Sequence, residues 1–272
     1  MTASPDQSSP TFTADSPKLA ATYDAVGTPQ FSHGKLLIAR LGLEPGDRVL
    51  DIGAGTGRLA AYVADLVGAS GHVTALDPLP LRVDLAAGRS GANLAAALGR
   101  AEDLSAFPDT TFDAAYMNSV FHWVEDKPGA LAEAFRVLKP GGRIALNTTI
   151  PSRPHQMSVL YREAIRACIE APWPRSTMRG VNRDDLKHAV STAGFTAIDI
   201  TEETFTDTHE SLEALIAWSQ ASSFGNLSIL AQTDPALRTR ALAELATRLA
   251  PFRTPDGYRL ERYMLFATAT RP

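Results

Sequence analysis

The amino-acid sequence predicts an α/β protein with a doubly wound, mostly parallel, seven-stranded sheet and two helical insertions. The first observation is that short apolar runs alternate with helical patterns from residue 18 to about residue 150, as in parallel sheets covered by helices on both faces. The second is that helical patterns dominate residues 151–180 and 206–256, between further strand-like segments. We therefore expect a core sheet from which two helical segments project.

Local patterns predict the elements in the first half of the chain. Apolar residues at helical spacing end at Gly42 and at Gly68, and glycine commonly follows a helix because it adopts left-handed backbone angles. Pro128 suits the first turn of a later helix, and a short helix is expected at residues 79–90. The run Lys139-Pro140-Gly141-Gly142 is expected to break the chain before the fifth strand. Five strands are expected, at residues 49–52, 72–76, 93–98, 112–117 and 144–150.

The second half returns to the sheet twice. A helix at residues 182–193 and a strand at about 196–205 form the first return, and a closing strand at 259–270 forms the second. Because both insertions leave from strand ends, we expect them to stack together as a lid. The expected units are a disordered leader (1–17), an α/β core (18–150), a helical insertion (151–180), a core helix and strand (181–205), a second insertion (206–256) and a closing strand (257–272).

Composition excludes several classes of protein. The 26 basic and 30 acidic residues give a formal net charge of −4, which argues against a broad nucleic-acid surface. The single cysteine, Cys168, forms no internal disulfide and builds no cysteine-rich metal site. The first 17 residues lack the features of a signal peptide, and no apolar stretch approaches 18 residues. We expect a cytoplasmic monomer or homodimer without a metal site or a membrane span.

A glycine-rich turn follows the first predicted strand and leads into a helix. Its sequence is Asp51-Ile52-Gly53-Ala54-Gly55-Thr56-Gly57-Arg58, and such a turn brings a ligand close to main-chain amides at a helix N-terminus. The alternative is a tight connection without a ligand. Asp77 ends the next strand, where a carboxylate can accept hydrogen bonds from ribose hydroxyls. Glu102-Asp103-Leu104 follows the third strand, where a loop would border an adenine ring.

The spacing of the glycines discriminates between ligands. A dinucleotide-binding turn has a glycine three residues after its second glycine, so that the helix can approach a pyrophosphate. Arg58 occupies that position here, and Gly57 comes one residue earlier. The pattern therefore favours a nucleoside without a phosphate bridge.

Several segments, taken in order, resemble class I S-adenosylmethionine-dependent methyltransferases. Val49–Gly57 is similar to the first motif of that family, and Asp77 matches its acidic residue after the second strand. Arg100–Leu104 resembles the adenine-side loop, although Arg100 stands where the family often has aspartate. The fourth-strand segment Phe112–Ala115 and the segment Arg136–Gly142 also match. The resemblance covers residues 18–150 and implies a Rossmann-like methyltransferase fold that binds S-adenosyl-L-methionine.

The resemblance implies a role for each matching residue. Asp51 and Gly53 would hold the amino end of the methionine portion, and Gly55 and Gly57 would line the cofactor together with Ala54. Asp77, followed by Pro78, would bind the ribose. Asn118 and Ser119 would lie under the methionine portion and face the acceptor. Ala101, Glu102, Asp103 and Leu104 would frame the adenine.

Two histidines are candidates for contact with the acceptor or for a general base. His122 follows the fourth strand, beside the expected transfer site, and its alternative role is packing against Trp123. His33 precedes the helix that leads to the first strand, in the segment that often covers the cofactor in the family. Tyr23 and Gln30 share this expectation as cofactor-covering residues, with simple surface polarity as the alternative.

Other candidate residues have a structural alternative. His155 begins the first insertion and either reaches the pocket or caps a solvated helix end. Cys168 lies in an apolar stripe and is expected to fill a core. Trp173, Trp218 and Phe224 either line the inner face of the lid or pack in its interior.

The sequence also excludes some acceptors. No Asn/Asp-Pro-Pro-aromatic run follows the fourth strand, as in many amino-nitrogen methylases, and no Pro-Cys nucleophile for cytosine C5 chemistry is present. The hypothesis is a methyltransferase that acts on a small organic acceptor by in-line displacement under a helical lid. The acceptor atom is left open. A nicotinamide-dependent dehydrogenase and a methyltransferase-like module without turnover are the alternatives, and a nucleic-acid reader is the weakest.

Overall fold

The computed structural model describes residues 15–168, 179–223 and 234–272. Helices and strands alternate through the first half, as expected. The described helices are α1 (Pro17–Val26), α2 (Thr28–Leu41), α3 (Arg58–Val67), α4 (Pro80–Ala87), α5 (Lys127–Val137), α6 (Gln156–Arg166), α7 (Arg183–Thr192), α8 (Leu212–Ser222) and α9 (Pro235–Leu249). The described strands are β1 (Arg48–Ile52), β2 (His72–Asp77), β3 (Leu94–Leu98), β4 (Phe112–Met117), β5 (Leu138–Thr149), β6 (Thr196–His209), β7 (Arg253–Thr254) and β8 (Gly257–Thr270).

Seven strands form the main path of the sheet, in the order β3-β2-β1-β4-β5-β8-β6. The pairs from β3 to β5 are parallel, whereas β8 runs antiparallel to both β5 and β6. The strand order reverses between β1 and β4, and in open α/β sheets ligands bind outside the strand ends at such a reversal. The predicted doubly wound, mostly parallel sheet is confirmed.

Helix ends follow the expected chemistry. Gly42, after α2, has φ and ψ of 65° and 52°, the left-handed conformation that glycine favours. Gly68, after α3, has a φ of 68° and a ψ of −174°, a region open almost only to glycine. The Asp126 side chain accepts a hydrogen bond from the Gly129 amide and caps α5. Ser16 caps α1 in the same way, so Ser16 and Pro17, at the end of the predicted leader, form the start of this helix. Residues 1–14 lie outside the described part.

Two predicted boundaries differ from the structure. Lys139-Pro140-Gly141-Gly142 does not separate α5 from the sheet but lies inside β5, because the register against β4 shifts there and the extra residues bulge. Strand β6 continues to His209, and residues 253–254 pair with β8. The segment between the two long strands is therefore shorter than the predicted insertion at 206–256.

The insertions pack against each other through a separate hydrophobic cluster. Its buried members come from α6, α8, α9 and β8 and include Met157, Tyr161, Trp218 and Leu245. Cys168 packs at its border, which agrees with the expected filling role. Trp173 and Phe224 lie outside the described residues. Among the helices that the structure describes, none has the length and apolarity needed to cross a membrane.

Candidate active site

A glycine-rich loop connects β1 to α3. Gly53, Gly55 and Gly57 have φ angles of 79°, 56° and 77°, which are left-handed values that glycine adopts without strain. The amides of Gly53 and Ala54 donate to the carbonyl oxygen of Leu76 at 2.7 and 2.9 Å. The loop is thereby held against the carboxyl ends of β1 and β2.

The three glycines face different neighbours. A β carbon on Gly55 would lie 3.5 Å from the ring of Tyr23, which covers the loop. A β carbon on Gly57 would lie 2.8 Å from a side chain of α4, and one on Gly53 would overlap Val120. Gly55 therefore faces the covered side of the loop, whereas Gly53 and Gly57 permit close packing of neighbouring elements.

Asp51 is buried near the carboxyl end of β1. Its side chain is 2% exposed and accepts a hydrogen bond from the Tyr116 hydroxyl at 2.6 Å. Burial raises the pKa of Asp51 to about 8; the Tyr116 hydrogen bond opposes this rise, and the nearby Asp77 carboxyl adds to it. A cationic ligand beside this carboxyl would favour its ionised form. The site therefore suits a ligand that carries a positive charge.

Asp77 is the second buried carboxyl, at the end of β2. The amide of Gly55 donates to its Oδ2 at 2.8 Å, and the amide of Leu79 donates to its Oδ1 at 3.0 Å. Burial raises the pKa of Asp77, against the lowering effect of these hydrogen bonds. Each carboxylate oxygen accepts more than one hydrogen bond, so the group retains acceptor capacity for ligand hydroxyls.

Helix α1 lies across the glycine-rich loop. The guanidinium of Arg82 lies 4.5 Å from the centre of the Tyr23 ring. Arg82 is itself 1% exposed and forms an ion pair with Asp15 at 3.2 Å. Tyr23 is therefore held between the loop and α4, and desolvation raises its pKa.

A second contact ties α1 to the neighbouring helices. Asp24 accepts hydrogen bonds from the Thr56 hydroxyl at 2.6 Å and from Arg89 at 2.7 and 2.9 Å. Burial raises the pKa of Asp24, but these hydrogen bonds outweigh it and the pKa lies below its usual value. The Asp24 carboxylate thus latches α1 onto the start of α3 and the segment after α4.

The covered space beside the loop, here named the loop cavity, has a volume of about 40 Å³. A pocket for a small organic ligand has a volume of about 300 Å³ or more, so this space would have to widen, for example by movement of α1 with its lining residue Tyr23, to admit such a ligand. Among its lining residues are Tyr23, Asp24, Gln30, Asp51, Gly53, Ala54, Thr56, Arg58 and Asn118.

Polar groups near the ends of β4 and β5 form hydrogen bonds beside the loop cavity. The Asn118 amide donates to the backbone oxygen of Gln30 at 3.0 Å and accepts from the Asn147 amide at 2.8 Å. The backbone amide of Ser119, whose φ is 60°, donates to Asn147 at 2.5 Å. These bonds fix Asn118 between α2 and the sheet.

His122 packs in the loop after β4. It is 5% exposed, and its ring centre lies 5.5 Å from that of Trp123. Its carbonyl accepts from the Arg179 amide at 2.8 Å, and its Nδ1 has no hydrogen-bond partner among the described residues. Burial lowers the pKa of His122 to about 3, with a contribution from the nearby Arg262. The ring does not line the loop cavity.

The segment after β3 contributes unevenly. Ala101 and Leu104 are buried in the core at 8% and 0% exposure, so the Leu104 side chain points away from a ligand. Asp103 is exposed, and Glu102 accepts from a backbone amide of the loop after β4 at 3.0 Å. Pro78 is half-buried beside the second carboxyl.

The structure places His33 in a polar cluster outside the loop cavity. The carboxylate of Asp207, near the end of β6, lies at its centre and accepts from Arg262 Nε at 2.8 Å. The Nε2 atoms of His33 and His155 lie 3.7 and 3.6 Å from the two oxygens of Asp207. The His155 side chain is 9% exposed, so the expectation of a solvated helix end is wrong.

Burial keeps the imidazoles of this cluster neutral. Burial, reinforced by Arg262, lowers the pKa of His33 to about 3 and that of His155 to about 4. Burial also raises the pKa of Asp207, but Arg262 and the imidazoles outweigh it and the pKa lies well below its usual value. The cluster thus contains one anion, one cation and neutral rings.

A larger space, here named the insertion cavity, adjoins the cluster. It has a volume of about 570 Å³ and lies between the start of α2, the end of β6 and α8. Trp218 lines it, and the Trp218 indole N–H donates to Gln30 Oε1 at 3.1 Å. Because Gln30 lines the loop cavity, this hydrogen bond connects a residue of one cavity with a residue of the other.

Several residues at these sites carry no clear signal in the sequence. Asp24 and Arg82 come from helices whose sequence patterns show no ligand signal. Arg262 lies in an otherwise apolar strand segment, and a buried arginine there indicates a buried acidic partner. Asp207 was placed inside an insertion, which hid its position at the end of a strand.

Comparisons with known proteins agree with this geometry. A family model described as a methyltransferase domain matches residues 50–146. Malonyl-[acyl-carrier protein] O-methyltransferase of Geobacter sulfurreducens is 30% identical over 217 residues, 78% of this chain and 80% of that protein. The enzyme of the same name from Serratia marcescens is 36% identical over 132 residues, and the match spans 48% of this chain and about half (49%) of the relative's length.

A solved structure shows the same fold. Phosphoethanolamine N-methyltransferase 2 of Haemonchus contortus, in complex with S-adenosyl-L-methionine, superimposes with a TM-score of 0.61. The sequence identity is 17%, and the match covers 94% of this chain and 57% of that one. The family itself is shown by the relative from Geobacter sulfurreducens together with the methyltransferase-domain match, and it is a methyltransferase family, not the dehydrogenase alternative. The chain belongs to the class I S-adenosylmethionine-dependent methyltransferases.

Proposed function

We propose that the chain transfers the methyl group of S-adenosylmethionine to a small organic acceptor, beneath the two helical insertions. The observation that carries the site assignment is the pair of buried carboxyls, Asp51 and Asp77, at the ends of adjacent strands. A loop of left-handed glycines lies between them. A ligand with a cationic end and a ribose complements both groups, and this cofactor has both features.

The residues around the loop cavity would hold the cofactor. Asp51 would attract its ammonium group, and the backbone of Gly53, Ala54, Gly55 and Gly57 would border the cofactor, with Gly55 on the covered side of the loop. Asp77 and Pro78 would lie at the ribose. Ala101, Glu102, Asp103 and Leu104 would border the adenine, the last through its backbone, and Tyr23, Gln30, Asn118 and Ser119 would enclose the methionine portion.

The chain's main contribution is positioning. When bound, S-adenosylmethionine supplies an electrophilic methyl group on a sulfonium. Holding two reacting atoms in line can lower a barrier by about 7–11 kcal/mol. The packed helices α6, α8 and α9 would shield the acceptor from water, as lids do in other enzymes.

His122 and His33 are the candidates for proton acceptance. Both rings are buried, and burial lowers their pKa values to about 3, so both are neutral. The Nδ1 atoms of both lack a hydrogen-bond partner among the described residues. A neutral imidazole with a free lone pair can accept a hydrogen bond from an acceptor hydroxyl or amine. With a pKa of about 3 it can take up the strongly acidic proton of an O-methylated hydroxyl, but not the proton of an ammonium group.

The acceptor is small, and its reacting atom is left open. The relatives differ in this respect, because two are named for O-methylation and a structural neighbour for N-methylation. We propose residues 18–150 as the cofactor-binding unit and the two insertions as the acceptor lid.

Isothermal titration with S-adenosylmethionine tests the proposal. Asp77→Ala should weaken binding at least about tenfold, because the ribose loses a charged acceptor. Asp65→Ala removes an exposed carboxylate from α3 and serves as the matched control. Equal affinity in wild type and Asp77→Ala would contradict the ribose assignment. Radiolabelled methyl transfer into a panel of metabolites then separates an enzyme from a binding module without turnover.

A further inference from the structure

The insertion cavity is a space separate from the proposed cofactor site. Its volume of about 570 Å³ lies in the range of pockets for small organic ligands, about 300–1,000 Å³. Phe205 and Trp218 supply apolar faces, and the ring of His33 lies 3.9 Å from that of Phe205. The cavity therefore accommodates a small molecule with an apolar body.

The charged residues that line this cavity are acidic. They are Asp207, Glu210 and Asp256, and no lysine or arginine lines it among the residues described. Arg262 balances Asp207 directly, through a contact of 2.8 Å. Glu210 and Asp256 are exposed, and neither forms an ion pair within the described part of the chain. The lining thus retains an excess of negative charge.

Two buried imidazole atoms of the lining also lack partners. His33 and His209 line the cavity and are 2% and 6% exposed. His33 Nδ1 and His209 Nε2 nevertheless have no hydrogen-bond partner in the described regions, and leaving a buried polar atom unpaired is unfavourable. Because His33 Nε2 faces Asp207, a neutral ring that carries its hydrogen there presents a lone pair at Nδ1. That atom calls for an N–H or O–H donor.

The cavity adjoins the cofactor site. Gln30 and His33 are one helical turn apart on α2; the first lines the loop cavity and the second lines the insertion cavity. The Trp218–Gln30 hydrogen bond is the contact between the two spaces. An acceptor in the insertion cavity would therefore lie next to the segment of α2 that lines the loop cavity.

We infer that the insertion cavity binds the methyl acceptor, and that this acceptor is a small amine that enters as an ammonium ion. Before transfer the ammonium loses one proton to solvent beside the exposed Glu210 and Asp256; the freed nitrogen lone pair then forms the new N–C bond as the S–C bond of the cofactor breaks, and S-adenosylhomocysteine leaves. The ammonium would meet the carboxylates of Glu210 and Asp256 and donate to His33 Nδ1. Its apolar body would lie against Phe205 and Trp218. The assignment to an acceptor depends on the proposed function, whereas the preference for a cation does not.

Three probes of matched shape test the charge preference: 2-phenylethylamine, 2-phenylethanol and phenylacetate. Titrations followed by ligand-observed NMR, at low ionic strength, should rank the amine at least about tenfold above the alcohol and the carboxylate below both. Raising the salt concentration should weaken the binding of the amine only, because Glu210 and Asp256 are exposed and salt screens their attraction. Equal affinities, a preference for phenylacetate, or no binding of the amine would overturn the inference.

A double variant locates the effect. Glu210→Gln with Asp256→Asn should reduce amine affinity at least about fivefold and leave alcohol affinity unchanged. Glu213→Gln removes an exposed carboxylate of α8 that does not line the cavity and should change neither affinity. An equal loss in Glu213→Gln would show general surface attraction and overturn the assignment.

Titration of the same samples with S-adenosylmethionine distinguishes the two proposals. Cofactor binding without amine preference rejects the amine cavity and leaves the proposed function standing. Amine preference without cofactor binding rejects the proposed function, and the amine is then a ligand but not an acceptor. When both bind, radiolabelled methyl transfer dependent on a bound amine confirms the acceptor class, and its failure across an amine panel rejects it.

Discussion

Trp218 of α8 donates its indole N–H to the side-chain oxygen of Gln30 on α2, at 3.1 Å and with both residues buried. The two residues are far apart in sequence, and each lines a different cavity. The bond therefore joins the second insertion to the segment that covers the cofactor site. We therefore expect this contact to couple movements of the insertion to that segment.

Trp218→Phe should uncouple the second insertion from the segment that covers the cofactor site. The change leaves the Gln30 oxygen buried without a donor, which costs about 1–3 kcal/mol of unfolding free energy. We expect a higher KM for the acceptor and a change below about threefold in cofactor affinity. Chemical denaturation and steady-state kinetics measure the two effects.

A double-mutant cycle with Gln30→Leu is the control. The coupling between the two changes should be about 0.5–1.5 kcal/mol if the hydrogen bond is the interaction lost. Additive effects would show that the wall between the cavities is held by other contacts.

The raised pKa of Asp51 predicts that a proton is released when the cofactor binds. Burial raises its pKa to about 8, so the carboxyl is largely protonated at pH 7. A cationic ligand favours the ionised form, so cofactor affinity should rise with pH until the pH passes about 8. Titration calorimetry in buffers of different ionisation enthalpy should detect the proton at pH 7 in wild type and not in Asp51→Asn.

The same carboxyl also makes stability depend on pH. Its pKa in the folded state lies above the unfolded value, so the folded state binds more protons between about pH 4 and pH 8. Its contribution to the unfolding free energy should therefore fall as pH rises through that window. A wild-type curve that parallels that of Asp51→Asn would contradict the raised pKa.

The glycine-rich loop and its carboxyls were predictable because their signal is local. A buried strand, three glycines and a helix stand in sequence order, and the parallel sheet brings Asp51 and Asp77 to one edge. The helix ends at Gly42 and Gly68 were predictable for the same reason. Each depends on the conformation of one residue.

The polar cluster was not predictable, because its members meet through register and not through spacing. Asp207 and Arg262 lie on antiparallel strands, and His33 reaches them from a helix near the start of the chain. The alternation that marks the end of β6 is weak, since threonines occupy several of its positions. The closed position of Tyr23 was also hidden, because it depends on the cation–ring contact with Arg82.

Asp24→Asn should loosen α1 and speed entry of the cofactor. The carboxylate accepts from Thr56 and Arg89, and about 29% of its side chain is exposed, so the loss of stability should stay within about 1 kcal/mol. A loosened α1 should show faster hydrogen exchange. Because Tyr23 lies on the same helix and lines the loop cavity, we also expect a higher association rate of the cofactor. Exchange mass spectrometry and stopped-flow binding measure both.

An exposed carboxylate outside α1 provides the comparison. Glu125→Gln changes an exposed carboxylate in the loop after β4, away from α1. An unchanged association rate in Asp24→Asn, or the same increase in both variants, would show that α1 does not control entry.

Leu245→Ala tests whether the insertions form a structural unit that serves the acceptor. Leu245 is 1% exposed in the hydrophobic cluster of α6, α8 and α9, so its truncation should cost about 2–5 kcal/mol. Leu66→Ala, at a site 44% exposed on α3, should cost within about 0.5 kcal/mol. If the cluster supports the lid, Leu245→Ala raises the acceptor KM well before it weakens cofactor binding, because the apolar residues next to the glycine-rich loop, such as Ile52 and Leu59, belong to other hydrophobic clusters. Parallel losses of both affinities below the unfolding transition would mean that lid and core unfold as one.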